Sequence, residues 1–388
     1  MLEETGKTGM DDIRIEKIDP AACYDKLYEF LQKVWPGAWS TDKKLFYWRT
    51  ILSAQSPSTK TAVYAAMDRD SNIRGVLCGI PGGVSIDGRQ VAITWAVDFT
   101  VEEKLRRKGI GTRLNLSLCE NEPNFVALGG TAMSLSNCRS LGWVIRDNVK
   151  SYIKVLKPIR YLLHKKNKNR DHLKIMFRAT GALLGETLRR VEAEGIRKVE
   201  GDCFSPAEIL EKNSPSDFAV TLRPKDLIMW QCENAPFPKS DYFIMENKGC
   251  GDGYMILRTH ETKEGFLEGR ILDIFSRDLN KQDLKLMIAY AVMAFRKKNA
   301  VQVRLIASHP SLKMACLELD FHERQGPFLI HPPDLPDGMD QAEWHLTMLD
   351  SDLPIDKNSR TLKGKPAPLK TALNENENPS DCFPRHRM

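Results

Sequence analysis

The stretch RRKGIGTRLNLSLCE, residues 106–120, follows the apolar run VAITWAVDFTV at 91–101. Arg106, Gly109 and Gly111 give the pattern R-x-x-G-x-G between a predicted strand and a predicted amphipathic helix. Glycines in such a loop let consecutive N–H groups face one point, and the helix N-terminus adds the positive end of its dipole. The stretch therefore predicts a cradle for a diphosphate, and a solvated turn is the alternative.

Two common phosphate-binding motifs differ from this loop. A dinucleotide-binding unit needs G-x-G-x-x-G early in a βαβ repeat, but here no third glycine follows Gly111. The loop also follows the fourth strand of a predicted arrangement that is mostly antiparallel. A P-loop needs lysine and then serine or threonine after its second glycine, whereas this chain has Thr112 and Arg113. Neither nucleotide motif explains the stretch.

Length and composition set the broad class of the protein. The 388 residues are enough for two domains, and 42% apolar with 28% charged residues is typical of a soluble globular chain. The acidic, polar start predicts no signal peptide, and no apolar run approaches the roughly 20 residues of a membrane span. Nine cysteines without a CxxC pair and eight histidines without HExxH spacing favour neither disulfides nor a metal site. A cytoplasmic location fits best.

Periodicity in the first half predicts an ordered series of strands and helices. Strands are predicted at 13–19, 61–68, 73–80, 91–101, 125–130 and, as the closing strand, 149–157. Helices are predicted at 22–37, from an N-cap at Ser40 or Thr41, at about 110–121 and at 131–143.

The second half repeats this series. RPKDLIMWQ (223–231) parallels KKLFYWR (43–49) around a tryptophan, and GRILDIFSRD (269–278) parallels the long strand, with Asp273 at the position of Asp98. SLKMACLELDF (311–321) parallels the helix at 131–143, and a last strand is predicted at 343–352. No glycine loop or arginine pair follows the second long strand. The pattern predicts a duplicated fold in which one copy has lost the cradle.

The segment VEEKLRRKGIGTRL at 101–114 resembles motif A of the GNAT-type N-acetyltransferases, in which R/Q-x-x-G-x-G/A wraps the pyrophosphate of acetyl-CoA. The order of elements over 13–157 is similar to that family's, and SLGW at 140–143 is similar to the end of its later motif. The resemblance implies an α+β fold with a mixed sheet: two tandem GNAT-like acyl-CoA N-acyltransferase domains, the second lacking the pyrophosphate loop. The chain departs from the family at Glu103, where proline is frequent.

The resemblance also implies site residues. The fourth and fifth strands should splay apart and expose backbone N–H groups that polarise the thioester carbonyl. An amine acceptor must lose a proton, so Asp98 is a candidate base, with a structural role as the alternative. Cys138 stands where the family has a tyrosine acid and is either catalytic or simply buried; Tyr152 is a further candidate. The residues assigned to acetyl-CoA are Phe99, Thr100, Val101, Arg106, Arg107, Lys108, Gly109, Ile110, Gly111 and Thr112.

These assignments divide the chain into five parts: a disordered N-terminus (1–12), an acetyl-CoA-binding catalytic domain (13–157), a basic helical linker (158–204), a degenerate GNAT-like domain (205–352) and a disordered tail (353–388). Residues 157–200 contain twelve Lys or Arg and five Asp or Glu. Apolar residues beside this cluster predict that 158–172 contacts an anionic membrane or a phosphate-bearing substrate, with a solvated linker as the alternative. Nucleic acid is not expected as a partner.

The expected function is acetyl transfer from acetyl-CoA to a primary amine. The acceptor is a small molecule such as an amino sugar, an amino acid or a peptide, which the sequence does not distinguish. A non-catalytic acyl-CoA-binding or scaffold protein is the alternative, because the family's tyrosine is missing. Trp48 and Trp230, both on predicted helices, are expected in the core rather than in a substrate platform.

Overall fold

Two mixed β-sheets, each built mainly by one half of the chain, form the framework of the protein. The computed structural model describes residues 13–36, 42–55, 59–164, 195–213, 218–247, 250–262 and 264–351. The predicted termini at 1–12 and 353–388, the predicted helix at 173–191 and most of the basic segment lie outside these residues.

The first sheet has nine strands within the described residues. Its main path, in spatial order, is Arg14–Ile18 (β1), Ala62–Met67 (β2), Ile73–Ile86 (β3), Arg89–Val101 (β4), Phe125–Gly129 (β5), Phe328–His331 (β15) and Val144–Arg146 (β6). Two short strands from the second half, Phe218–Thr221 (β9) and Glu343–His345 (β16), extend this sheet beside β3. Only the β4–β5 and β9–β16 pairs are parallel.

A long hairpin joins β3 and β4. Asp87 and Gly88 both have positive φ, at 48° and 73°, as a type I′ turn requires. The sequence GGVSIDGRQ, between the predicted strands at 73–80 and 91–101, is therefore the end of one strand, the turn and the start of the next. The hairpin carries β4 across the sheet toward the glycine loop.

The helices of the first half lie close to their predicted positions. They are Tyr24–Val34 (α1), Lys43–Thr50 (α2), Ile110–Asn121 (α3), Ala132–Ser140 (α4) and Pro158–His164 (α5). The predicted N-cap of α2 at Ser40 or Thr41 is wrong, because the side chain of Asp42 accepts hydrogen bonds from the N–H groups of Lys44 and Leu45.

The second sheet has seven strands within the described residues. In spatial order they are His322–Gln325 (β14), Lys150–Val155 (β7), Gln302–Ala307 (β13), Leu267–Ser276 (β12), Cys250–Glu261 (β11), Asp241–Asn247 (β10) and Ile196–Val199 (β8). The helices of this half are Pro206–Asn213 (α6), Lys225–Ile228 (α7), Lys281–Lys297 (α8) and Pro310–Glu318 (α9).

The two sheets exchange one strand each. β7 from the first half lies between β13 and β14 of the second sheet, and β15 from the second half lies between β5 and β6 of the first. The prediction that 149–157 closes the first sheet is therefore wrong, and residue 157 is not a boundary between sheets. The last predicted strand, 343–352, is also misplaced, since its strand portion β16 lies at the edge of the first sheet. Neither half contains all the strands of its own sheet.

A reciprocal tryptophan pair joins the two halves in the core. The rings of Trp48 and Trp230 stack with centroids 5.2 Å apart. Trp48 Nε1 donates to the carbonyl of Trp230 at 2.9 Å, and Trp230 Nε1 donates to the carbonyl of Trp48 at 3.2 Å. Both side chains are buried, so the prediction that they belong to the core is confirmed.

Candidate functional site

The glycine loop is a tight, left-handed turn that ends in an uncapped helix. A 3₁₀ turn at Glu103–Leu105 links β4 to the loop, and α3 begins at Ile110. Arg107 and the N-cap residue Gly109 have φ of 62° and 76°. Gly109 has no side chain to cap the helix, and the first N–H groups of a helix have no partner within it. These N–H groups and the helix dipole form the predicted anion cradle.

Positive charge surrounds this cradle. Arg107, Lys108 and Arg113 are exposed and make no ion pair within the described residues. The one buried acid beside the loop, Glu102, is bound by Lys33 Nζ at 2.9 Å and Arg74 Nη1 at 3.0 Å. Burial alone would raise the pKa of Glu102, but these two hydrogen bonds lower it overall. Lys33 and Arg74 thus compensate the charge of Glu102, and the loop keeps its positive field.

Arg106 has a different part in the loop. Its side chain is half-buried, and its Nε donates to the carbonyl of Val101 at 3.1 Å. This bond ties the loop back to the end of β4. The Arg106 side chain therefore fixes the turn at least as much as it adds charge.

Gly111 leaves little room for a side chain because the loop is packed against the end of β4. A Cβ atom at residue 111 would lie 3.0 Å from the ring of Phe99. The other side chains on this turn are already engaged: Ile110 is buried in the core, and Thr112 Oγ1 accepts from Asn137 Nδ2 at 2.7 Å. Ile110 and Thr112 can therefore offer an anion their backbone N–H groups rather than their side chains.

The two central strands of the first sheet separate beside the loop. β4 and β5 are paired only from Thr94 to Ala96, whereas β4 continues, paired with β3 on its other side, to Val101. The segment 97–101 therefore has a strand edge facing a wedge between β4 and β5. The predicted splay is present, and Phe99, Thr100 and Val101 lie on its edge.

The described surface cavities do not mark this site. One of about 310 Å³ lies at the far end of α3, between Lys17, Tyr64 and Asn121. Another of about 230 Å³ lies beside Phe266 and Asn299 in the second half. The candidate site is thus defined by backbone geometry and charge rather than by depth.

Asp98 occupies a bulge in β4 and is bound to an arginine. Its φ is 55°, and the register between β3 and β4 shifts at this position. Arg49 Nη2 lies 3.2 Å from Asp98 Oδ2, and both side chains are almost completely buried. The carboxylate is already engaged by a buried guanidinium, so this ion pair argues for a structural role. Sequence reasoning missed Arg49, because an arginine on an amphipathic helix is usually exposed.

Cys138 is a residue of α4, and its side chain lies in the apolar core. It is 5% exposed and clusters with Leu135 and Trp143. Burial raises the pKa of the Cys138 thiol to about 11. The thiol therefore stays protonated at neutral pH, and its surroundings favour the packing interpretation over a catalytic one.

Tyr152 is not available to the first site. It lies on the exchanged strand β7, and its hydroxyl donates to Glu323 Oε2 of β14 at 2.7 Å. The hypothesis that it replaces the missing tyrosine acid is therefore wrong, because the strand exchange puts it in the second sheet.

The second copy differs from the first at the helix N-terminus. The side chain of Asn280 caps α8 by accepting from the N–H groups of Gln282 and Asp283. The first turn of α8 thus has an internal partner and an added carboxylate, where α3 has neither. This contrast accords with the predicted loss of the diphosphate cradle.

The wedge of the second copy is filled by the chain itself. β12 and β13 are paired only from Glu268 to Arg270. Beyond that point the segment 343–351, buried from Trp344 onward, bonds to β12 and to Ser308, the residue after β13. Leu346 N donates to Ser308 Oγ at 2.7 Å, just past β13. His345 Nε2 donates to the Ile274 carbonyl of β12 at 2.9 Å. The second wedge therefore has an internal occupant.

Comparison with known proteins identifies the fold. No protein-family model and no curated protein matches the sequence. Among solved structures, Saccharomyces cerevisiae N-myristoyltransferase with bound myristoyl-CoA aligns with 88% of this chain and 90% of its own length, at 12% identity and a TM-score of 0.53. A GCN5-related N-acetyltransferase from Anabaena variabilis aligns over 82% and 72%, at 12% identity and a TM-score of 0.54. The fold is thus the tandem GNAT fold, as the glycine loop and the order of elements predicted.

Proposed function

We propose that the protein is an N-acyltransferase that transfers an acetyl group from acetyl-CoA to a primary amine. The observation that supports this most is the uncapped N-terminus of α3, with its glycines and its cations that have no ion-pair partner in the described part of the chain, at the mouth of the β4–β5 wedge. N-acyltransferases are among the solved structures with a similar fold. We place the reaction in the cytoplasm, as the cysteine pattern suggests.

The described residues fit a CoA thioester, which would supply the activated acyl group. The backbone of Arg107 to Thr112 would bind its diphosphate, with Arg107, Lys108 and Arg113 adding charge. The strand edge at Phe99, Thr100 and Val101 would orient the thioester and stabilise negative charge on its carbonyl oxygen. The chain would therefore provide both binding and positioning of the thioester.

Proton transfer is the least specialised part of this site. An acceptor ammonium must be deprotonated before it attacks, and Asp98 is the acid closest in sequence to the wedge. Because Arg49 holds that carboxylate, we assign Asp98 to positioning, and we assign proton removal to solvent at the mouth of the wedge. The protonated thiol of Cys138 lies in the apolar core, so we give it no proton-transfer role.

Thiol release tests this function against its alternative, a non-catalytic acyl-CoA-binding protein. The full chain is mixed with acetyl-CoA and a panel of amino acids, amino sugars and small peptides, and free CoA thiol is followed with a thiol reagent. We expect release above the rate of spontaneous hydrolysis with at least one amine class. Binding of acetyl-CoA without release across the panel would favour the scaffold.

We also propose that the α5 region contacts an anionic surface. Ile159 and Leu163, one turn apart on α5, are 77% and 79% exposed, which an interfacial helix requires. Lys165, Lys166, Lys168 and Arg170 follow in the sequence, and each basic residue near an anionic membrane contributes about 1 kcal/mol.

This contact predicts salt-sensitive binding to vesicles. The full chain should co-sediment with phosphatidylserine vesicles at low salt and be released at high salt, and the double variant Ile159→Ser, Leu163→Ser should bind less. Neutral phosphatidylcholine vesicles serve as the control. Equal recovery with both lipids would contradict a contact driven by anionic charge, and no recovery with either would exclude a membrane and leave a phosphate-bearing substrate.

A further inference from the structure

Arg49 is a buried guanidinium whose hydrogen-bonding capacity is mostly unused. It is 1% exposed, and its Nη2 bonds to Asp98 at 3.2 Å. Its Nε and Nη1 are buried and have no hydrogen-bond partner among the described residues. Buried polar groups without partners are rare in native proteins, because their lost hydration is not compensated. The guanidinium also lies 5.6 Å from the ring of Trp230, so it stands where the two halves meet.

The second copy contains a comparable arginine that is fully bonded. Asp273 lies at a register shift of β12, as Asp98 does in β4, and it is bound by Arg223 Nε at 2.6 Å. Arg223 Nη1 donates to Asp350 Oδ1 at 2.9 Å, and Nη2 donates to Thr347 Oγ1 at 3.3 Å. Arg223 precedes its helix whereas Arg49 lies within one, so the two arginines reach equivalent aspartates from different positions.

The additional partners of Arg223 come from the segment that fills the second wedge. Asp350 and Thr347 both belong to 343–351, which bonds to β12 and to Ser308 just after β13, where those strands have separated. The second wedge thus holds a peptide of this chain with its carboxylate on the arginine. In the first wedge no second carboxylate of the described residues bonds to the corresponding arginine.

We propose that Arg49 binds a carboxylate group of the acceptor, so that the acceptor is an amino acid or an acidic peptide. The inference rests on the proposed function, because Asp98 directly precedes the strand edge at which the acyl group would lie. Charge supports the same class: Arg49, Asp98, an acceptor carboxylate and an acceptor ammonium sum to zero. Planar guanidinium groups bind carboxylates strongly when buried, which accounts for an arginine at this position.

Matched acceptors test this assignment. Thiol release from acetyl-CoA is measured with each of the L-amino acids and with the corresponding amino-acid amides, which keep the amine and lose the carboxylate. We expect kcat/KM to be at least about tenfold higher for the best acid than for its amide. Equal values for acids and amides would overturn the carboxylate assignment while leaving the transferase function standing.

Variants of Arg49 assign the preference to this residue. Arg49→Gln should abolish the preference for acids by raising KM, with the affinity for acetyl-CoA unchanged. Because the single change leaves Asp98 buried without its ion pair, the double variant Arg49→Gln, Asp98→Asn is made as a neutral, foldable counterpart. Retention of the acid preference in a folded double variant would exclude Arg49 as the carboxylate site.

A binding arm keeps the inference testable if no turnover occurs. N-acetylated amino acids and their amides, which represent the products, are added to the full chain with CoA, and the shift in Tm is recorded. The acids should raise Tm and the amides should not, and Arg49→Gln, Asp98→Asn should remove the difference. No difference in the unmodified chain would overturn the inference, whereas a difference without thiol release would overturn only the catalytic function.

Discussion

Gly109→Asp is expected to weaken binding of acetyl-CoA by roughly 30-fold, whereas Gly109→Asn should change it only slightly. Residue 109 has a φ of 76°, and aspartate and asparagine both tolerate this left-handed conformation. The two variants therefore share shape and backbone strain and differ mainly in charge. A carboxylate at the helix N-cap would repel the diphosphate, and about 2 kcal/mol of repulsion at partial exposure corresponds to that factor.

The measurement is a calorimetric titration of each folded variant with acetyl-CoA. Circular dichroism and Tm serve to show that both variants keep the fold. A large, equal loss in the two variants would indicate that strain rather than charge is responsible. Unchanged affinity in the aspartate variant would remove the diphosphate from this loop.

Arg223→Met should be the most destabilising single change in the second half. Arg223 is buried between Asp273 and Asp350, at 2.6 and 2.9 Å. Removing one partner of a buried ion pair costs about 3–5 kcal/mol, because the remaining charges stay buried without compensation. The change also releases segment 343–351 from the second wedge. Urea denaturation should show this loss in the free energy of unfolding.

Two controls separate the buried network from charge in general. Arg197→Met removes an exposed partner of Glu246, and it should have little effect. The triple variant Arg223→Met, Asp273→Asn, Asp350→Asn removes all three charges and should recover part of the lost stability. If Arg223→Met lowered the free energy of unfolding no more than Arg197→Met does, the buried network would not stabilise the second half as proposed.

Acid should weaken the same network. Burial alone would raise the pKa of Asp273, but Arg223 lowers it overall. A carboxyl group with a lowered folded-state pKa stabilises the protein above its unfolded pKa, near 4, and this contribution is lost as the pH falls below that value. Arg223→Met should therefore flatten the pH dependence of stability in this range.

The sequence allowed the first-half elements and the cradle to be predicted because both depend on local signals. Gly109 and Gly111 beside Arg106 are recognisable in the printed sequence, as are the strand before them and the helix after them. The bulge aspartates were also visible as acids in apolar strands. Such features are set by backbone conformation and periodicity, which a single segment contains.

The strand exchange could not be predicted in this way. Lys150–Val155 is buried along most of its length and would suit an interior position in either sheet. Which sheet it joins depends on contacts far away in the sequence, such as the hydrogen bond from Lys154 Nζ to the Leu319 carbonyl. The pairing of Arg49 with Asp98 is likewise a tertiary contact, and neither residue indicates the other.

The same exchange determines how the number of sites must be measured. The isolated segment 205–352 would lack β7, which lies inside its sheet, so it is not a sound test of the second copy. The full chain is the appropriate material. The uncapped α3 and the filled second wedge together predict one acyl-CoA site per chain.

Calorimetric titration of the full chain with acetyl-CoA measures the number of acyl-CoA sites per chain. We expect a stoichiometry near one, with the affinity of that single site roughly 30-fold lower in Gly109→Asp. A stoichiometry near two would mean that the second copy binds the thioester despite its capped helix and filled wedge. Absence of binding in the unmodified chain, or a single site whose affinity Gly109→Asp leaves unchanged, would contradict the assignment of acetyl-CoA to the loop before α3.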